Sequence, residues 1–528
     1  MAQIIKDWVP QKMSDADIEE YRHATQRKLD RIRNLEAEQQ RLAPQAIARI
    51  EQALFMARVD YRTCFFRIFR INKLPPEILS NVFHFVAWTA PNPHAAVQSR
   101  LWLTSICRHW RTVALDDPTL WNAIWFRNPL RFEQGFAWLD RAGNASIDIR
   151  INDTPQQPLT LETATLLINR VFKKLSNIRV MIIVVQDWDP ALFIIHSLRR
   201  VAEERLPMVL ERFELHRAGS AYVQVGAGYE PSFYLQPMAL FGGASVPSFR
   251  YLAVNGVHLD WEGSPLVNLT ALDIRRLPLE KVPSLHQFRA MLQNSPDLGK
   301  LVLDGAGPQW PVQRTLDSLA GLQPISLPNL KVLVLGDFST DYGAYVASQI
   351  IARNVVDLTL MNLLGTDSAP FFTRLTGNLP AVKSLTLHTT DVTTPRSVLA
   401  ILKWLQSLPL LTYLRVVNVP RSFLDLFLYD SQKLRPAQQP TLTTSTLLCP
   451  KIAYFEFHSV DPEYVSAWAR SRAGLGFPLR KLFVPPEAVN KYSKEQLDRL
   501  KDVMRISRGG IQVLSHAQRS VEEEELTK

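Results

Sequence analysis

From residue 147 onward the chain keeps returning to one arrangement of apolar and polar positions. Ser146-Ile147-Asp148-Ile149-Arg150-Ile151 alternates strictly, and Val180 to Val185 is an unbroken apolar run. Both read as buried strands. A three-point pattern follows: an apolar residue, two variable positions, an apolar residue, one variable position and another apolar residue. It occurs as Leu210-Phe213-Leu215, Phe249-Leu252-Val254, Leu269-Leu272-Ile274, Leu298-Leu301-Leu303 and Leu330-Leu333-Leu335. It recurs as Val355-Leu358-Leu360, Val382-Leu385-Leu387, Leu411-Leu414-Val416, Ile452-Phe455-Phe457 and Leu479-Leu482-Val484. Helical stretches such as His286 to Leu292 and Val398 to Leu405 lie between copies. A strand plus a helix cannot bury its own apolar face, so such units stack and share a continuous core. The strands are therefore expected to pair in parallel and in sequence order. Leu333, Leu358, Leu385 and Leu414 should be buried at equivalent positions. An ordinary α/β domain with buried parallel strands is the alternative.

The first seventy residues predict helices. Ser14 and Asp17 have the spacing of a capping box, with Met13 and Ile18 as its apolar staple. Ile18, Tyr21, Thr25, Ile32, Leu35 and Leu42 follow a rough heptad, broken at Pro44. Ile47, Ile50, Leu54, Ala57, Tyr61, Cys64 and Ile68 resume it. The two helices could form an antiparallel hairpin, a bent rod or a self-associating coiled coil.

Between Leu74 and Trp121 two short apolar helical segments lie close together. Leu74-Pro75-Pro76-Glu77-Ile78-Leu79 opens the first, with prolines suited to a first turn and Glu77 at the positive end of the helix dipole. Ile78, Leu79, Val82, Phe83 and Val86 continue its stripe. Leu101, Leu103, Ile106 and Trp110 mark a second helix, and Trp110, Val113 and Ala114 a third. Pro118 stops the third, with Leu120 and Trp121 as apolar plugs. Pro91 and Pro93 suggest a loop over Ala87 to Ser99. Trp102, Trp110, Trp121 and Trp125 are expected in the core of this block and its junction.

The opening Leu-Pro-Pro-Glu-Ile-Leu, with Cys107-Arg108-His109-Trp110-Arg111, Ala114 and Pro118-Thr119-Leu120-Trp121, resembles an F-box of the fungal type. The resemblance covers about a tenth of the chain. It implies a three-helix module docking on the Skp adaptor of a cullin-based ubiquitin ligase, through Leu74, Pro75, Ile78, Leu79 and Phe83. Trp110 would hold the helices together or add to the contact. The later pattern resembles an irregular leucine-rich repeat array. The expected fold class is then α/β: a helical arm over residues 1–70, an F-box over 71–126, and a leucine-rich-repeat solenoid with a parallel concave sheet over 127–485. Residues 486–528 would supply a cap helix, Ser493 to Met504, and an acidic tail with Glu522 to Glu525.

Composition bears on partners and compartment. No apolar run approaches bilayer length, and Met1 to Pro10 lacks a secretory core, so a soluble protein of cytoplasm or nucleus is expected. The three cysteines, Cys64, Cys107 and Cys449, have no metal or pairing spacing. The net charge of +10 admits nucleic acid as a partner, but the basic residues are scattered among 50 acids.

No catalytic motif emerges. Gly226-Ala227-Gly228 lacks the third glycine of a dinucleotide loop, and the histidines are dispersed. No enzymatic role, cofactor or metal is expected. The reading is a substrate-recognition subunit whose repeats bind a target protein. A repeat scaffold uncoupled from a ligase and a basic nucleic-acid-associated protein are the alternatives. The outward strand positions are Asp357, Thr359 and Met361; Ser384, Thr386 and His388; Tyr413, Arg415 and Val417; and Tyr454, Glu456 and His458. Tyr413, Arg415 and Tyr454 are the expected target anchors, with His388 and His458 beside them.

Overall fold

The computed structural model describes residues 13–39, 47–68, 70–127, 132–218, 237–310, 323–365, 367–390, 394–434, 447–484, 492–506 and 510–513. Leu42, Pro44, Gly226 to Gly228 and Glu522 to Glu525 lie outside these residues. The chain divides into two compact units. One reaches Ala123 and takes in Ala137–Ser146; the other comprises Ile124–Phe136 and the chain from Ile147.

The first unit begins with α1 (Asp15–Gln39) and α2 (Ile47–Ile68). Ser14 and Asp17 exchange backbone and side-chain hydrogen bonds, completing the cap of α1. Tyr21 meets Arg67, Lys28 pairs with Asp60 and Glu36 pairs with Arg58, so the helices run antiparallel as a hairpin. Ile32, Ile50, Leu54 and Ala57 close the seam between them. Leu35 and Tyr61 pack against this seam and stay partly exposed.

Three shorter helices follow: α3 (Pro76–Trp88), α4 (Pro93–Ile106) and α5 (Arg108–Asp116). Pro76 occupies the first turn of α3, where a missing N–H leaves nothing unsatisfied. The loop expected over Ala87 to Ser99 is mostly helix. Pro93 starts α4 rather than interrupting it, and the Asn92 side chain accepts from Ala95 N at 2.8 Å as its cap. Cys107 caps α5, its Sγ accepting from Trp110 N, and burial raises its pKa. Leu120 and Trp121 are buried as expected.

Among the described residues, the second unit is built on a 14-stranded sheet. Its strands are β1 (Ala123–Phe126), β2 (Ile147–Asn152), β3 (Ile178–Val185), β4 (Arg212–Arg217), β5 (Tyr251–Asn255), β6 (Ala271–Arg275) and β7 (Lys300–Asp304). Two-residue strands β8 (Ile325–Ser326) and β10 (Ile350–Ile351) pair separately, flanking β9 (Val332–Ser339) in sequence. The main sheet continues through β11 (Asp357–Leu364), β12 (Ser384–His388), β13 (Tyr413–Val417), β14 (Tyr454–His458), β15 (Lys481–Val484) and β16 (Gly510–Val513). Its order follows the sequence throughout, and its pairings from β2 to β16 are parallel.

In all ten copies of the three-point pattern the second and third apolar positions fall on these strands, and the first lies two residues before the strand begins. Leu333, Leu358, Leu385 and Leu414 are register partners and are buried. The sheet extends beyond the pattern at both ends. Lys494–Ile506 is a helix, as expected near Ser493, but β16 follows it and pairs with β15. The helix is therefore not a terminal cap. β16 carries only Ile511 and Val513 as alternating apolar residues, too short a signal to read.

One backbone feature repeats with the pattern. Gly256, Arg276, Gly305, Asp337, Asn362, Thr389, Asn418 and Ser459, each two residues beyond the third apolar position, have φ between +44° and +69°. At most of these positions the chain leaves its strand while its N–H still bonds the next one, whereas Asp337 and Asn362 interrupt β9 and β11, which resume pairing at Phe338 and Leu363. Arg276 N donates to Asp304 O, Thr389 N to Val417 O and Asn418 N to His458 O. For a residue with a Cβ this conformation costs about 1–2 kcal/mol, which the interstrand bond and the packing around it offset.

Candidate interaction surfaces

On α3 the expected contact residues divide by helical phase. Leu79 and Phe83 are fully buried, and Phe83 packs on Trp110 with ring centroids 4.9 Å apart. Trp110 is buried too, its Nε1 donating to Asn72 Oδ1 at 2.7 Å. Trp110 thus binds the helices to one another, and neither Leu79 nor Phe83 is available as docking surface. Leu74 is half-buried, while Pro75 is exposed. Ile78 is exposed, and Phe85, seven residues on and on the same side of α3, is 74% exposed. Val86 and Trp88 add to the outer surface of α3, and Leu101 and Trp102 to that of α4. Trp102, expected in the core, is 64% exposed.

A polar cluster fixes another side of α3. Ser80 donates to Asp117, and His84 Nε2 lies 2.9 Å from Asp117 Oδ2. Trp88 Nε1 donates to His84 Nδ1 at 2.9 Å. Burial works to raise the Asp117 pKa, but hydrogen bonds from Ser80, Thr119 and His84 outweigh it and hold the carboxyl below its usual range.

On the sheet, the register aligns the expected target residues on one face. Tyr413 lies opposite Tyr454, Arg415 opposite Glu456, and Val417 opposite His458 on one side and His388 on the other. The centre of this group is Glu456, a residue the sequence marks only as one of the outward positions. It is buried, accepts from Tyr413 Oη, bonds His458 Nε2 and lies 3.3 Å from Arg415 Nε. Burial pushes its pKa up, yet His458, Tyr413 and Arg415 together pull it below the usual carboxylate range. Tyr413 and Arg415 are thereby held in place by an internal partner, whereas Tyr454 keeps 36% of its surface exposed. His388 stands apart from this hub, 3.1 Å from Asn362 Oδ1.

A second polar group on β4 to β7 has no counterpart among the expected sites. Glu214 pairs with Arg212 and lies 3.0 Å from His216 Nε2, repeating the Glu-x-His spacing of Glu456 and His458. Arg212 also covers the Tyr251 ring, 4.1 Å from its centroid. Arg275 makes two bonds to Asp273, at 2.7 and 2.9 Å. Asp304 has its pKa raised to about 7, first by burial and then by the neighbouring Asp337 carboxyl. Glu214 and Asp273 are thus each paired with an arginine of their own strand.

Among the described residues no group of three or more His, Cys, Asp or Glu has the arrangement to hold a metal ion, and no helix is long and apolar enough to cross a membrane. Cys107 and Cys449 are buried free thiols, and burial pushes the Cys449 pKa up to about 12. Comparison with known proteins found no matching family model and no curated sequence of significant similarity.

Proposed function

We propose that the chain is a substrate-recognition subunit of a cullin-based ubiquitin ligase. The first unit acts as an F-box that docks on a Skp-type adaptor, and the second as a leucine-rich-repeat array that presents a target. The observation that carries the reading is the outer surface of α3 and α4. A three-helix block with its core already closed by Leu79, Phe83 and Trp110 still exposes Ile78, Phe85 and Trp102 to solvent. Large apolar side chains left exposed in this way gain free energy when a partner covers them. The chain would contribute proximity, holding a target beside chemistry performed by other subunits.

Co-expression with a Skp-type adaptor tests the reading. The wild-type chain should co-purify with it, and the Phe85→Ala, Trp102→Ala double variant should not. A folded wild-type chain that fails to hold the adaptor would leave a repeat scaffold uncoupled from any ligase.

A further inference from the structure

The hub around Glu456 pairs its own charges, but the N-terminal edge of the sheet at β13 to β15 does not. Beneath the starts of β13, β14 and β15 lies a groove of about 790 Å³. Pro450, Tyr454, Phe477 and Pro478 give it an apolar lining, and Lys451 and Arg480 stand in its wall. Both cations are exposed, and neither makes an ion pair among the described residues. No aspartate or glutamate is among the described residues that line the groove. Leu410, just before this edge, and Leu475, at the end of the preceding helix, are also exposed, by 36% and 44%.

The backbone here is already occupied. Tyr454 N donates to Thr412 O, and Arg480 N and Lys481 N both donate to Ala453 O. A ligand therefore cannot add itself as a strand, and recognition falls to side chains. Two uncompensated cations beside an aromatic and proline-lined floor complement a chain with carboxylates next to an apolar side chain.

We propose that this groove receives an acidic peptide segment bearing an apolar anchor. Lys451 and Arg480 face the carboxylates, and Tyr454 with Phe477 receives the anchor. The proposal rests on reading the second unit as a recognition surface, and adaptor docking is not part of it.

Fluorescence anisotropy on the full chain tests it. The probes are short labelled peptides of Asp and Glu with a central Leu or Phe, the same peptides with Asn and Gln in place of the acids, and acidic peptides without the apolar residue. The first set should bind at least tenfold more tightly than either of the others. Lys451→Glu with Arg480→Glu should abolish the preference, and Tyr454→Ala should weaken binding severalfold. Lys331→Glu with Arg353→Glu makes the same change in net charge elsewhere and should leave binding intact. Equal loss in that control, no preference for acidic peptides, or equal binding without the anchor would each overturn the proposal. Adaptor co-purification of the same variants is a separate readout, so failure of the groove and failure of the ligase reading are distinguishable. Unchanged thermal unfolding of each variant secures the comparison, with Lys451→Gln and Arg480→Gln as milder replacements if charge reversal lowers it.

Discussion

The outer surface of α3 and α4 and the open face of the sheet are both exposed, but they are finished differently. The helices leave Ile78, Phe85 and Trp102 exposed among the described residues. The strands surround their buried carboxylates, Glu214, Asp273 and Glu456, with arginines and histidines of the same face. Association on the helical surface releases water from apolar groups and yields affinity directly. On the strand face a partner must compete with ion pairs already formed, so that surface favours selectivity over strength.

The sharpest division runs through α3 itself. Phe83→Ala removes a fully buried ring packed on Trp110 and should cost about 3–5 kcal/mol of stability, read by denaturant unfolding. Phe85→Ala, two residues away, should change stability by no more than about 0.5 kcal/mol. Together with Trp102→Ala it should instead weaken adaptor binding by about 2 kcal/mol or more, measured by calorimetry. If the two substitutions exchange these effects, the assignment of inner and outer sides is wrong.

Glu456→Ala probes the strand face. It removes the acceptor of Tyr413 and the partner of His458 together with the ion-pair partner of Arg415, and should cost about 1–3 kcal/mol, visible as a lower unfolding midpoint. Adaptor binding should not change. A variant as stable as the wild type would mean that the hub adds no stability.

The remaining expected effects are those of pH, and they have opposite signs. Glu456 is depressed in the folded chain, so the stability it contributes is present above its unfolded pKa and is lost as pH falls through its folded value. Glu456→Gln should make acid unfolding shallower in that range. Asp304 is raised to about 7, so the folded chain binds more protons than the unfolded chain between about 4 and 7. Stability therefore declines as pH rises through that window. Asp304→Asn should flatten the decline, as measured by unfolding at a series of pH values. An unchanged slope would show that Asp304 does not hold its proton there.

The sheet was legible because its signal is redundant. Leu333, Leu358, Leu385 and Leu414 repeat one spacing, and stacking requires their equivalence. β16, with two apolar residues and no repeated partner, offered no such redundancy. Pro93 was misread because proline both breaks helices and begins them. Asn92, one position earlier, was the local sign that decides between the two. Which of Ile78 and Leu79 points inward depends on where Trp110 packs, a contact between distant segments. The Glu456 hub was hidden for a related reason. Its pairing with Arg415 exists only once β13 and β14 are in register, and no spacing along one strand reveals it.

Strict sequence order in the sheet also turns the molecule into a measuring scale. Adjacent strands are spaced about 4.8 Å apart, and an extended peptide advances about 3.3 Å per residue. Two strand intervals, about 9.6 Å, nearly equal three peptide residues, about 9.9 Å. Because successive side chains of an extended peptide face opposite ways, a ligand lying straight across the strands would present the same side in the same phase only at every sixth residue and every fourth strand. Its sequence would be sampled with a period of six, whatever the length of the segments that join the strands. A bound chain shifted by one residue would turn its other set of side chains toward the sheet.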